Sequence, residues 1–358
     1  TEIYSVVKVV GNVIFLSNYP ILPLMYKYYF NTGASSLGIS ALGLHMKEIL
    51  LTILIFNIIT LLFVLLSKSL KNESKIVYSI YNISKLEVCF FIFITIMSLI
   101  ISMPHIPFYN ASMSNRQAVL IQGGAWNYVG LCAFAFLMAT NKNKKIINFI
   151  FIFLVVWNIG NYNRADVLSL VIIYVIRLIK LNKISKHKQI KYFSMIFLLF
   201  LFSLFVGNYR VSNSMNNNIF IAFINSIGKT INDILNQPTA ADIIHIYNVS
   251  IDYTQNLGFL HGSTYAFYLY SIVPFLGKVY SNMYLFTNVL NSYYFNLGGG
   301  FFLAEPYLNF GILGTILYGI VFNIIMYFIL KKNNLINYVY YICIWIVAFR
   351  LQWYGLIY

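Results

Sequence analysis

Charge is scarce in this chain, and acid scarcer still. Only 9% of its 358 residues are charged, and Asp and Glu together number 9. With a mean hydropathy of +0.75, that composition excludes an ordinary soluble domain, so counting soluble domains by length does not apply. Cysteine is nearly absent as well. Cys89, Cys132 and Cys343 all lie inside apolar runs, which leaves no disulfide framework and no cysteine metal spacing; they read as core residues. His45, His105, His187, His245 and His261 form no metal spacing either, and neither a metal nor a cofactor is expected. No internal repeat and no inverted pair of broken helices is visible, which weighs against a secondary transporter. No cleavable signal sequence is read at the start, and because the chain begins at Thr1 a short N-terminal piece is expected to be missing.

What the chain has in abundance is long apolar runs. At about 20 apolar residues per membrane crossing, spans are read near 9-29, 47-67, 86-103, 124-140, 146-161, 165-181, 192-208, 305-330 and 335-351. The first is interrupted by Lys8, Pro20 and Pro23. The reading is an all-α polytopic membrane protein of about 9–11 transmembrane helices. Its organisation is transmembrane helices over 1–208, one large outward-facing loop with short interfacial helices over 209–303, and transmembrane helices over 304–358. The net charge of +15 would suggest nucleic acid in a soluble protein, but here the lysines segregate. Lys68, Lys71, Lys75 and Lys85, then Lys142, Lys144 and Lys145, then Arg177 to Lys191, then Lys331 and Lys332 occupy every second connection. The positive-inside rule makes those connections cytoplasmic and turns the long loop outward. Within it, the apolar stretches Ile219 to Ile227 and Tyr265 to Phe275 read as amphipathic or re-entrant helices at the outer interface.

Arginine departs from the lysine pattern. Arg116, Arg164, Arg210 and Arg350 all fall on the outer side, each close to a predicted helix end. Lysine suits a solvated topogenic charge, whereas the planar guanidinium suits bidentate contact with phosphate or carboxylate in a partly dry place. Together they read as a receptor for an anionic lipid headgroup. Plainer roles stand beside that one. Arg164 could pair with Asp166 in NYNRAD, Arg116 could be an exposed loop charge, Arg210 an interfacial anchor, and Arg350 an anchor beside Trp353 and Tyr354.

The stretch from Gly298 to Gly314, GGGFFLAEPYLNFGILG, concentrates unusual residues. Phe301, Phe302, Leu303 and Ala304 precede Glu305, and Pro306 follows it, so the carboxyl is expected to be partly desolvated and in need of a partner. It is either an ion pair with one of the outer arginines or a catalytic group. Gly298, Gly299 and Gly300 permit unusual dihedrals or a close approach of backbone to a ligand. Gly311, Gly314 and Gly319 are spaced for close helix packing. His261 sits near Gly258 and beside Gly262 in GFLHGSTYAF, where it is either incidental or held close to a substrate. Asp242 and His245 are one helical turn apart and read as a local salt bridge.

These features, in order, resemble the O-antigen polymerase (Wzy-type) family of bacterial surface polysaccharide polymerases. The resemblance rests on the multispan architecture with one large outer loop, on GNYNRADVLSL with its arginine at the outer end of a hairpin, on FLHGSTY followed by Pro274, and on the glycine-rich GGGFFLAEPYLNFGILG stretch. It implies a GT-C-like fold in the bacterial inner membrane, multi-pass, with the active site on the periplasmic side. It implies a glycan chain moved from undecaprenyl pyrophosphate to the non-reducing end of an incoming lipid-linked unit. Membrane lipids and a chain-length regulator protein are further expected partners. Pyrophosphate leaves carrying its charge, so that chemistry needs fixed positive charge, for which Arg164 and Arg210 come first and Arg116 and Arg350 second. The acceptor hydroxyl must lose a proton, with Glu305 or His261 as the base. Tyr265, Tyr268, Tyr293 and Tyr294 offer stacking and hydroxyl contacts for sugars.

Two other readings remain. An O-antigen ligase shares architecture and donor. A flippase or transporter for lipid-linked oligosaccharide is a different class, and should carry charges deep within several spans.

Overall fold

The computed structural model describes residues 45–69, 84–102, 129–138, 144–160, 219–236, 238–272, 286–294 and 300–331, with isolated helical positions between 167 and 209 and at 339 and 343. Among the described residues the regular structure is helical throughout, without a strand. In chain order the helices are α1 (Met46–Ser69), α2 (Lys85–Ser102), α3 (Val129–Met138), α4 (Lys144–Gly160), α5 (Ile219–Asn236), α6 (Pro238–Leu257), α7 (Ser263–Ile272), α8 (Phe286–Tyr293) and α9 (Ala304–Lys331). Within α1 and α9, Met46–Phe63 and Ala304–Phe328 are long and apolar enough to cross a membrane. The span expected at 9-29 lies outside the described residues. The stretch read as an outer loop is helical from 219 to 236, from 238 to 257, from 263 to 272 and from 286 to 293.

The chain forms two compact units. One contains α1, α6, α7, α8 and α9. Ile49, Ile53 and Phe56 of α1 are buried, while Leu54, Ile58, Leu61, Leu62, Leu65 and Leu66 on other faces are exposed. Phe56 meets Phe302 edge-on at 5.1 Å and Phe322 at 5.9 Å, which seats α9 on α1. Gly319 faces that contact, and a β-carbon there would stand 3.3 Å from the Ile59 side chain and 3.4 Å from the Phe56 ring, a close fit. One turn on, Asn323 Nδ2 donates to Thr60 Oγ1 at 3.1 Å. Tyr247 of α6 donates its hydroxyl to Thr52 Oγ1 at 2.6 Å, tying α6 to α1. Complete burial holds that phenol well above its usual range.

The other unit contains α2, α3, α4 and most of α5. A reciprocal capping box starts α2: Ser84 N donates to Glu87 Oε2 at 2.6 Å, and Glu87 N donates to Ser84 Oγ at 3.2 Å. Its core gathers Leu99, Leu131, Phe134, Leu137, Ile147 and Leu154. Two expectations change here. Arg177 is a buried helical residue, 4% exposed, with Nη1 donating to Met138 Sδ at 3.6 Å, so it is not a solvated loop charge. Cys89 and Cys132 are exposed rather than core, all three cysteines are free, and Cys343 Sγ donates to Cys132 Sγ at 3.6 Å. Apolar runs do not specify which face of a helix meets protein, which is why sequence placed these thiols inward.

Helix α5 is inverted relative to a soluble amphipathic helix. Ala222, Ser226 and Thr230 are turned in, and Asn208 Nδ2 donates to Thr230 Oγ1 at 3.2 Å. Phe220, Ile221, Phe223, Ile224, Ile227 and Ile231 are turned out.

Candidate functional site

The Gly298 to Gly314 stretch is described from Gly300 onward. There α9 is two helical pieces joined at Gly311, whose φ of 63° and ψ of −144° are not helical. That combination is tolerated by glycine because it has no β-carbon. The bend brings the Pro306 carbonyl against Gly314, so Gly314 serves a contact within its own helix. The expectation that Gly311, Gly314 and Gly319 all serve helix packing is therefore corrected: Gly319 does so, Gly311 breaks the helix, and Gly314 accommodates the break.

A break releases carbonyls that a continuous helix would use. The Gly258–Gly262 loop between α6 and α7 takes them up. Leu260 N donates to Leu308 O at 3.2 Å and His261 N donates to Asn309 O at 3.1 Å. Asn309 extends the joint with its side chain: Gly262 N donates to Oδ1 at 2.9 Å, while Nδ2 donates to Thr264 Oγ1 at 2.7 Å and to Glu305 O at 2.9 Å. Rings fill the spaces the glycines leave. Phe259 covers Gly311, Phe310 covers Gly262, and Tyr265 stacks on Phe310 with centroids 6.5 Å apart. The loop backbone is left-handed at Gly258 (φ 88°), His261 (φ 48°) and Gly262 (φ 87°). For His261 this is a strained conformation, kept by the bonds on either side of it.

Two predicted catalytic residues thus lie on the two sides of one joint. His261 is exposed. Glu305 is 4% exposed, and its Oε1 is buried with no hydrogen-bond partner among the described residues. Thr264 is the hydroxyl bonded to its carboxyl group. Ser263 Oγ and Tyr318 OH are also buried without a hydrogen-bond partner among the described residues. An unsatisfied buried carboxyl costs far more than an unsatisfied hydroxyl, so polar atoms gathered at this break make a place where a proton, a water or a ligand hydroxyl would be held.

The predicted pyrophosphate residues Arg116, Arg164, Arg210 and Arg350 lie outside the described residues, as do Gly298 and Gly299, and with them the pairing of Glu305 with an outer arginine. Tyr268 is helical within α7, Tyr265 is half-buried beside the joint, Tyr293 ends α8 and Tyr294 follows it. His245 is buried and meets Tyr294 edge-on at 5.6 Å; its proposed partner Asp242 has a side chain outside the description.

One constellation was missed from sequence. His45 Nε2 faces Asp252 Oδ1 at 3.8 Å, Tyr293 OH donates to Asp252 Oδ2 at 2.6 Å, and Asn256 Nδ2 donates to Tyr293 OH at 2.8 Å. His45 and Asp252 are over two hundred residues apart along the chain, so no spacing rule could have joined them; the only local signal was Asp252 followed by Tyr253 and Asn256 on one helix. Among the described residues no group of three or more His, Cys, Asp and Glu side chains could hold a metal ion.

Comparison with family models, with curated proteins and with solved structures finds no match.

Proposed function

We propose that the chain is a multi-pass membrane glycosyltransferase that polymerises lipid-linked oligosaccharide repeat units, acting at the outer face of a bacterial cytoplasmic membrane. The membrane part of this reading draws support from the outward faces. Leu61, Leu62, Leu65 and Leu66 on α1, Phe90 and Phe93 on α2, and the inverted face of α5 are exposed. In water such surfaces would drive aggregation, whereas lipid satisfies them.

The observation that carries the enzymatic part is the joint at Gly311. It holds His261 exposed in a strained loop and Glu305 buried across the same few hydrogen bonds. In the reaction, the acceptor hydroxyl oxygen forms a bond to the anomeric carbon of the donor as the bond from that carbon to the pyrophosphate oxygen breaks. The bonding pair leaves with the pyrophosphate, and the hydroxyl proton passes to a base. His261, being exposed, is the base in this scheme. Glu305 sits behind the joint and supplies a buried polar anchor, and the four outer arginines neutralise the departing phosphates. Holding two large lipid-linked substrates in line contributes much of the rate.

One observation favours a second reading. Interrupted helices line the substrate sites of many transporters, so a flippase for the same lipid-linked glycan is the competing class. Purified protein in detergent, given lipid-linked repeat units, separates them. Lengthened products support the polymerase; unlengthened units that the same protein moves across a liposome membrane overturn it. Single units left attached to lipid A core in a deletion strain support polymerase over ligase, whereas loss of all attached glycan indicates ligase.

A further inference from the structure

The His45–Asp252–Tyr293 constellation shares no hydrogen bond with the joint at Gly311 among the described residues and has no part in the transfer reaction proposed for that joint. We propose that Asp252, Asn256 and Tyr293, backed by His45, form a saccharide subsite that takes neighbouring hydroxyls of a sugar bearing no acidic group. The proposal rests on the glycosyltransferase reading only in expecting a saccharide.

The Asp252 side chain is 42% exposed, yet its carboxylate is oriented from two sides. Tyr293 OH donates to Oδ2 at 2.6 Å. Behind Oδ1 stands His45, 8% exposed, whose Nε2 is buried without a hydrogen-bond partner among the described residues and stops 3.8 Å short of the carboxylate, too far for a hydrogen bond. Gln255 Nε2 lies 3.5 Å from the other ring nitrogen and fixes the ring from the opposite edge. A carboxylate has about four acceptor positions, and this one engages a single described hydrogen-bond donor, so its outward lone pairs remain for hydroxyls of a ligand.

The Tyr293 hydroxyl is held by two bonds and keeps one acceptor lone pair. It donates to Asp252 and accepts from Asn256 Nδ2 at 2.8 Å, and its bond to Asp252 raises the phenol above its usual range. Asn256 Nδ2 is itself anchored on the Asp252 carbonyl at 3.0 Å. The group is therefore held in place before any ligand arrives, which lowers the ordering cost of binding. Aromatic faces adjoin it: Tyr253 meets Tyr293 edge-on at 5.3 Å, and Tyr294, the next residue, is 48% exposed. A few fixed polar groups beside aromatic rings suit a molecule with hydroxyls on its edge and C–H bonds on its face. An acidic sugar would meet the Asp252 charge, and no lysine or arginine bonds this group among the described residues.

The test is saturation-transfer NMR on the full chain in detergent micelles, with methyl β-galactoside, methyl β-glucoside and methyl β-glucuronide as probes. At least one neutral glycoside should receive saturation and the glucuronide should not. Asp252→Asn and Asn256→Ala should each weaken the neutral glycoside by about ten-fold, with unchanged size-exclusion profiles. Asn256 is exposed, so its variant keeps the test informative if Asp252→Asn proves unstable. Equal transfer in the wild type and Asn256→Ala, equal transfer from the glucuronide, or no transfer from either neutral glycoside overturns the subsite. Lengthening of lipid-linked units without glycoside binding removes the subsite and leaves the enzyme. Glycoside binding without lengthening removes the enzyme and leaves the subsite.

Discussion

The ring of Phe259 lies 3.0 Å from the position a β-carbon would take on Gly311, so the loop that carries His261 closes on the break in α9. Gly311→Ala should be harmful twice over, through the ring and through a φ of 63° that alanine rarely adopts. The expected loss is about 1–3 kcal/mol from the backbone alone. Thermal unfolding in detergent should register it, and adding Phe259→Ala should recover only the part due to the ring.

Asn309 supports both sides of the joint through one amide. Asn309→Leu removes the acceptor of Gly262 N and the donor to Thr264 Oγ1, which keeps its bond to the Glu305 carboxyl, at about 1–3 kcal/mol for the amide left unpaired. Faster amide exchange confined to residues 258–264 is the expected signature. Unchanged exchange there would mean that the joint does not depend on this side chain.

Tyr247 provides a pH readout. Burial raises its phenol in the folded state, whereas the unfolded chain ionises near pH 10. Above that pH the folded form binds more protons at this site than the unfolded form, so its contribution to stability, complete below pH 10, falls as pH rises. Tyr247→Phe loses the bond to Thr52 and about 0.5–1.5 kcal/mol at neutral pH. It should also lose stability less steeply in alkali. Parallel curves for the two proteins would contradict the assignment.

Activity is tested at the charges. Arg164→Ala and Arg210→Ala should lower lengthening of lipid-linked units by about a hundred-fold while expression and insertion persist. Arg164→Lys should be nearly as damaging, because the charge survives but the planar fork does not. Full activity in the alanine variants removes the phosphate clamp.

His261→Ala should reduce turnover by about a hundred-fold if the imidazole takes the acceptor proton. Glu305→Gln keeps the shape and one acceptor oxygen of a residue that is 4% exposed, so loss of activity in a variant that folds normally reports the carboxyl itself. Full activity of Glu305→Gln at every pH tested leaves that residue a structural role alone.

By itself the sequence determined that the chain is helical and apolar, because runs of Leu, Ile and Phe with scarcely a charge admit little else. It also marked Glu305, Pro306 and the surrounding glycines as a departure from plain apolar helix, since no lipid-facing turn needs them. Tertiary structure decided what those residues do. Gly311 could have packed a helix face as Gly319 does; it breaks the helix because the loop from Gly258 to Gly262 supplies the hydrogen bonds that a break exposes. Long-range pairing decided the rest. His45 meets Asp252, and Thr52 meets Tyr247, only when α1 packs beside α6, and a contact between distant segments leaves no period or spacing in the chain that makes it.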